Sequence, residues 1–464
     1  MKVIKILVLS MGLLTSALVR AGVSPGSDSL GGVEDLLRQE RQHARSTAPR
    51  MSLTELEREA LVSNPEIRLL SRRIAIAEAR ARIVGSREDP SFMYRGWGTP
   101  LQRPWDLNLT QHMFMYSQSL PGPGKRALRA EVAGKETEIA KAQLEAKKRE
   151  VTAQVRRAFY DLLRSQDELV LHDDQAALAR QAVEEARIKY VVGKVPQQDV
   201  LKAQIALTKL VEHLVMLQQE GGLATSRLNF LLGRDPASPI AVEGQYAPPD
   251  TLPPLLELER LALNNRPELA AASSAIHQGE ARAKLAQKGY SPDYNLSAGY
   301  MLMPDGARYR NSYMAELSVT LPWLNRKRHD AEIAEAQAQV TAEQAEYDYQ
   351  RSVVFQEIQE ALVRAQSAKR LVNLYRNTLR PQAQASLKAA VSAYQADRTD
   401  FLNLLESQNT TLDVELAYYR SASELEASLA DLERATGAPF ERQASPPGPE
   451  PHSDDSDLSL EVPR

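Results

Sequence analysis

Among side chains that could hold a metal or attack a bond, methionine is the one this sequence places with regularity. Met301 and Met303 alternate along one short segment and Met314 stands in the next. Met93, Met113 and Met115 occupy matching segments about 200 residues earlier, and the six together make up most of the ten methionines of the chain. A thioether is a soft ligand suited to Cu(I) or Ag(I). It is also a flexible filler of irregular space, so the residues leave both readings open and no firm metal site follows. The seven histidines, His43, His112, His172, His213, His277, His329 and His452, show no metal-ligand spacing. Cysteine is absent, and neither a phosphate-cradling glycine loop nor a nucleophile elbow occurs. The chain reads as a non-enzyme without a cofactor, each histidine serving at the surface or in packing.

The elements that must position the methionines are strands. In residues 293–303, Tyr294, Leu296, Ala298, Tyr300 and Leu302 form one face, and Asn295, Ser297, Gly299, Met301 and Met303 the other. Residues 313–321 repeat the alternation, with Tyr313, Ala315, Leu317, Val319 and Leu321 opposite Met314, Glu316, Ser318 and Thr320. Pro304-Asp-Gly306 supplies the turn between them. Residues 91–97 and 111–120 repeat the arrangement less cleanly. With the apolar side outward, all six methionines fall inward and His112 outward. Segments of about ten residues suit an outer-membrane barrel. Four strands cannot close one, and lipid does not tolerate an open edge. Since such barrels start at about eight strands, at least two copies must combine, and three would supply twelve.

The strands are set in a duplicated helical frame. Leu53 to Glu66 reappears as Leu255 to Glu268, in ungapped register from Glu78-Ala-Arg-Ala81 against Glu280-Ala-Arg-Ala283 to Pro90 against Pro292. Further on, Tyr190, Leu201, Gln204, Leu228 and Gly233 match Tyr394, Leu405, Gln408, Leu432 and Gly437. A unit of this length is a structural half rather than a solenoid repeat. Each half reads helix, two strands, a very long helix, a tight turn and a returning helix. The helix begun at Leu53 is expected to continue past Pro65 to about Arg87, with the proline marking a helix start or kink. Lys125 to Val191 contains no proline and one glycine, enough for a helix of roughly 100 Å. Its counterpart spans Arg326 to Tyr394 with a kink at Pro381. The expected fold is mainly α with a small β part: long antiparallel coiled-coil helices forming an α-barrel, and four transmembrane strands per chain completed by oligomerisation.

The two repeats cover residues 53–254 and 255–440. Residues 1–21 carry a charged start, an apolar run and a small-residue exit, the pattern of a signal peptide. Residues 22–52 form a polar leader, and 441–464 lack the apolar residues to fold. After residue 21 no run approaches the roughly 20 apolar residues of a membrane helix, which leaves strands as the route into lipid. A formal charge of −3 with interspersed signs offers no field for nucleic acid. Export without cysteine fits a bacterial envelope.

The twin Asn-Pro-Glu and Arg-Pro-Glu helix starts, Gln118 to Arg126 after the second strand, Val192-Gly193 with Gln198 to Gln204, and Leu228 to Arg234 occur in a fixed order. In that order over residues 53–440 the chain resembles the TolC-like outer-membrane efflux channels, in their heavy-metal branch of CzcC/CusC type. The resemblance implies a homotrimer in the outer membrane of a Gram-negative bacterium. It would contact outer-membrane lipid, a periplasmic adaptor (membrane fusion) protein and an inner-membrane pump of RND type, and export heavy-metal cations. It further implies a closed-state lock between Tyr394 and Asp199. A family arginine is matched by Thr399, with Arg398 beside it, and two acidic ring positions by Asn403 and Glu406. The adaptor-contacting Val-Gly-Leu is matched by Val192, Gly193 and Lys194, a charge replacing an apolar knob. Drug efflux or type I secretion by the same channel is the alternative cargo. A periplasmic coiled-coil adaptor or structural protein is the alternative class.

Overall fold

The computed structural model describes residues 48–439 apart from positions 100, 250, 305, 397 and 400, so the segment read as a signal peptide, the leader up to residue 47 and the C-terminal tail lie outside the described residues. The order is β1 (Arg50–Met51), α1 (Leu53–Ser63), α2 (Pro65–Gly85), β2 (Ser91–Trp97), β3 (Gln111–Leu120), α3 (Lys125–Val191), α4 (Gln197–Leu232) and β4 (Ala241–Val242). The second half follows with α5 (Leu255–Asn265), α6 (Pro267–Gln287), β5 (Tyr294–Leu302), β6 (Asn311–Val319), α7 (Arg326–Leu374), α8 (Arg380–Gln395) and α9 (Phe401–Thr436). The chain is mainly helical with one small antiparallel sheet, the expected class. Among the described residues no helix is long and apolar enough to cross a membrane.

Each half closes its own core where the short helices meet the long ones. Leu56, Ala60 and Ile67 pack on Val151, Val155, Phe159, Leu228 and Leu232. In the second half Leu258, Ala262 and Leu269 pack on Val354, Ile358, Leu362 and Leu432. The spacings of three and four along α3 and α7 put these residues on one stripe, which is why burial follows the helical period.

Of the start or kink expected at Pro65, the structure shows a start: the first helix ends at Ser63 and a second begins at the proline. Proline lacks the N–H that would continue the ladder, and Asn64 turns this break into a helix start. Its Oδ1 accepts from the backbone N–H of Glu66 at 2.9 Å and Ile67 at 3.2 Å, and its Nδ2 donates to Leu231 O at 2.9 Å. In the second half Arg266 does the tethering: Nη1 donates to Ala435 O at 2.8 Å and Nη2 to Glu357 Oε2 at 2.6 Å. The kink expected at Pro381 takes the form of a wide π turn, Tyr375–Leu379, just before the proline. The widened turn accommodates the missing N–H without breaking the rod.

Two strand limits also differ. The strand read as 293–303 is Tyr294–Leu302, and the one read as 313–321 is Asn311–Val319. Pairing with β5 sets the limits of β6, whereas the alternation read in sequence extended to Leu321. The end of the leader is itself paired, Arg50–Met51 lying parallel to Ala241–Val242.

Gly233 and Gly437 end α4 and α9 with φ of 68° and 71°. An added Cβ at Gly437 would lie 2.6 Å from Asn265 O, and one at Gly233 2.7 Å from Ser63 O. Both the left-handed backbone and this close approach require glycine. Gly437→Ala is expected to destabilise each chain by about 1–3 kcal/mol, read as a lower denaturation midpoint. Gly134→Ala, in open space within α3, should be neutral or stabilising. Equal midpoints for the two variants would refute the capping role.

Candidate functional site

The sheet runs β2-β3-β5-β6, antiparallel throughout, with β2 and β6 at its edges. Directly paired residues share a face, so the register assigns every side. Phe92 pairs with Tyr116, Tyr116 with Ala298 and Ala298 with Ala315; Tyr94 pairs with Phe114, Phe114 with Tyr300 and Tyr300 with Tyr313. This face is aromatic and apolar, yet bare: Phe92 is 70% exposed and Tyr313 88%. The rings of Tyr94 and Phe114 lie 5.2 Å apart and those of Tyr300 and Tyr313 5.4 Å. A continuous exposed face of this kind needs a nonaqueous neighbour. His112 sits on the same face, its Nδ1 2.8 Å from Tyr94 Oη.

The opposite face carries all six methionines together with Arg95, Gln111, Ser117, Ser297, Ser312 and Glu316. Met93 pairs with Met115 and Met113 with Met301, while Gly299 pairs with both Met115 and Met314. Gln111 Nε2 lies 3.3 Å from Met303 Sδ, which puts that residue beside the same face. Met113 is only 5% exposed, and Ser117 and Ser297 meet through their hydroxyls at 2.8 Å.

At the far end of the rods the two long hairpins meet. Tyr394 of α8 is buried with Ala186 of α3, Ala203 of α4 and Leu404 of α9. Lys189, in the last turn of α3, holds its Nζ 3.7 Å from the centre of the Tyr394 ring and 3.5 Å from Glu185 Oε1. Burial opposes the charge of Lys189, but Tyr394 and Glu185 outweigh it and hold the pKa above the ordinary lysine value. A cation on a tyrosine face contributes about 0.5–2 kcal/mol. Asp199 lies in the first turn of α4, one turn before Ala203 and so on its side of the helix. Asn403 and Glu406 are exposed on α9, and Asn403 Nδ2 donates to Thr399 Oγ1 at 3.1 Å. Arg398 is exposed in the turn, its backbone N–H bonded to Ala393 O at 2.8 Å.

The first hairpin tip is closed by Gly193 at φ 75° and by Lys194 N–H donating to Lys189 O at 2.9 Å. Val192 and Lys194 are exposed beside it, as is Val191.

The pairing of Lys189 with Tyr394 is not visible in sequence, because the two lie on helices of different halves. The meeting of His172 and His213 had a signal that spacing motifs do not use: they lie nearly equal distances either side of the Gly193 turn. Their rings stack at 5.7 Å. Burial and the neighbouring His213 push the His172 pKa down to about 4. Among the described residues no group of three or more His, Cys, Asp or Glu is placed to hold a metal ion.

The family described as outer membrane efflux protein matches residues 56–234 and 258–438, one match in each half. The cobalt-zinc-cadmium resistance protein CzcC of Cupriavidus metallidurans is 26% identical over 320 residues, 68% of this chain and 74% of that one. Outer membrane protein OprJ of Pseudomonas aeruginosa is 23% identical over 83% of this chain and 84% of its own length. Among solved structures, the Campylobacter jejuni CmeC outer membrane channel superposes with a TM-score of 0.72 at 15% identity, covering 85% of this chain and 87% of that one.

Proposed function

Because the chain belongs to the outer membrane efflux protein family, we propose that three copies form the outer-membrane conduit of a three-part export system. Twelve strands would close one barrel in the outer membrane, and the long hairpins would continue it as a helical tube across the periplasm. The observation that carries this reading is the open-edged sheet with a bare aromatic face, mounted on rods of about 100 Å. Lipid would cover that face, and neighbouring copies would pair the edges β2 and β6. The exposed tip at Val192, Gly193 and Lys194 is the surface offered to a periplasmic adaptor, which would link the conduit to an inner-membrane pump of RND type. Heavy-metal cations are the proposed cargo, a reading supported by the name of the CzcC relative.

Tyr394, Lys189 and Asp199 would hold the periplasmic end shut. Glu406, with Asn403 one turn away on α9, would give one carboxylate per chain to a ring at that end, and such rings select cations. Mass measurement of detergent-purified protein, followed by single-channel recording in planar bilayers, tests the reading. A trimer and a cation-selective pore are expected. Glu406→Gln should move the reversal potential under a salt gradient toward zero. A stable soluble monomer would sink the conduit, and an unmoved reversal potential would place Glu406 outside the constriction.

A further inference from the structure

The methionines do more than share a face, because their register gathers four of them beside a single glycine. Gly299 in β5 is paired with Met115 of β3 on one side and Met314 of β6 on the other. Met301 is the next residue of β5 on the same face, and its partner across β3 is Met113. Met115, Met301 and Met314 thus flank a position that has no side chain, with Met113 diagonal to it and Ser297 on the remaining side. A Cβ placed on Gly299 would lie 3.7 Å from the Met314 methyl carbon and 3.8 Å from Met115 Cβ, so the Met314 side chain reaches over the glycine and Met115 stands directly beside it. Met93 and Met303 lie outside this cluster, where Arg95 Nη2 approaches the Met93 sulfur at 3.7 Å and Gln111 Nε2 the Met303 sulfur at 3.3 Å.

From this geometry we infer that the methionine cluster beside Gly299 is a binding site for a soft monovalent cation, Cu(I) or Ag(I), held by thioethers of Met113, Met115, Met301 and Met314. Neutral sulfur ligands favour soft ions over hydrated divalent ones. Neutral thioether ligands also release their ion readily, as a wall along a conduction path must. The adjoining face supplies serines, a glutamine, an arginine and the carboxylate of Glu316, two residues from Met314, but among the described residues no competing thiolate or imidazole. The inference deepens the proposed conduit reading and rests on it for turning this face toward water. It narrows the cargo to ions softer than those in the name of the cobalt-zinc-cadmium relative.

The test is silver nitrate titrated into the purified full-length protein, with the coordination shell read by X-ray absorption at the silver edge. One Ag(I) per chain in a sulfur shell is expected. Met115→Leu with Met301→Leu and Met314→Leu should lose it, weakening binding by roughly tenfold or more, while Met93→Leu with Met303→Leu should bind as the unaltered protein does. Potassium conductance of every variant is recorded alongside. Unchanged conductance with lost silver supports the site, whereas unchanged silver binding in the triple variant overturns it and leaves the conduit standing. Absence of conductance in the unaltered protein would instead remove the conduit. Should the triple variant not assemble, selenomethionine-labelled unaltered protein gives the answer: silver neighbours at the selenium edge support the site, and their absence overturns it.

Discussion

Ala298→Arg is expected to remove the assembled protein from the outer membrane, while Ser318→Arg in the adjoining strand leaves it in place. The two positions lie on opposite faces of the sheet: Ala298 is in the row Phe92, Tyr116, Ala298, Ala315, and Ser318 is the partner of Asn295. Ala298 is near the middle of β5, so its row would fall close to the bilayer midplane. An arginine facing lipid there costs about 2–4 kcal/mol per chain, and three copies in one barrel multiply this beyond what a marginally stable assembly holds. An arginine on the other face would meet water and the polar groups of Asn295, Ser297 and Glu316. Membrane fractionation with unheated gel electrophoresis compares assembled trimer for the two variants. Equal levels would mean that the aromatic face does not turn to lipid, and the inward placement of the methionines would fall with it.

Opening of the periplasmic end gives the second large effect. Tyr394→Phe with Asp199→Ala should raise single-channel conductance several-fold, and adding Lys189→Met should raise it further. Tyr394 is the point where both hairpins meet, with Ala186 and Ala203 from the first and Leu404 from the second. The Lys189 ammonium above its ring ties the last turn of α3 to α8. A hydrogen bond to a charged group contributes about 1.5–3 kcal/mol. Lost three times in a trimer, about 5.5 kcal/mol would turn a population of 1:99 into 99:1. The Lys189→Met arm separates two causes. If it alone opens the pore, the cation on the ring holds the end shut. If only the Tyr394 and Asp199 changes do, the hydroxyl and carboxylate are responsible. Conductance unmoved by all three substitutions would place the constriction elsewhere.

These two cases differ in what could be read before the fold was known. Strand and helix were legible because alternation from Tyr294 to Leu302 and the three-and-four spacing of Val151, Val155, Ala158 and Leu162 are local patterns, set by backbone geometry within one element. The strand faces were legible for the same reason, since the side-chain period of two leaves no freedom once one residue is assigned. The residues proposed to hold the periplasmic end shut were named only through resemblance. Partners in space were another matter. Which atom Asn64 or Arg266 reaches, and that Lys189 lies on Tyr394, depend on helices far apart in the chain coming to a fixed rotation and height. The same holds for the four methionines beside Gly299. Alternation put them on one side, but only the pairing register, fixed by hydrogen bonds between β3, β5 and β6, decided that they gather beside one glycine. A register shifted by two residues would keep every methionine on that face and dissolve the cluster.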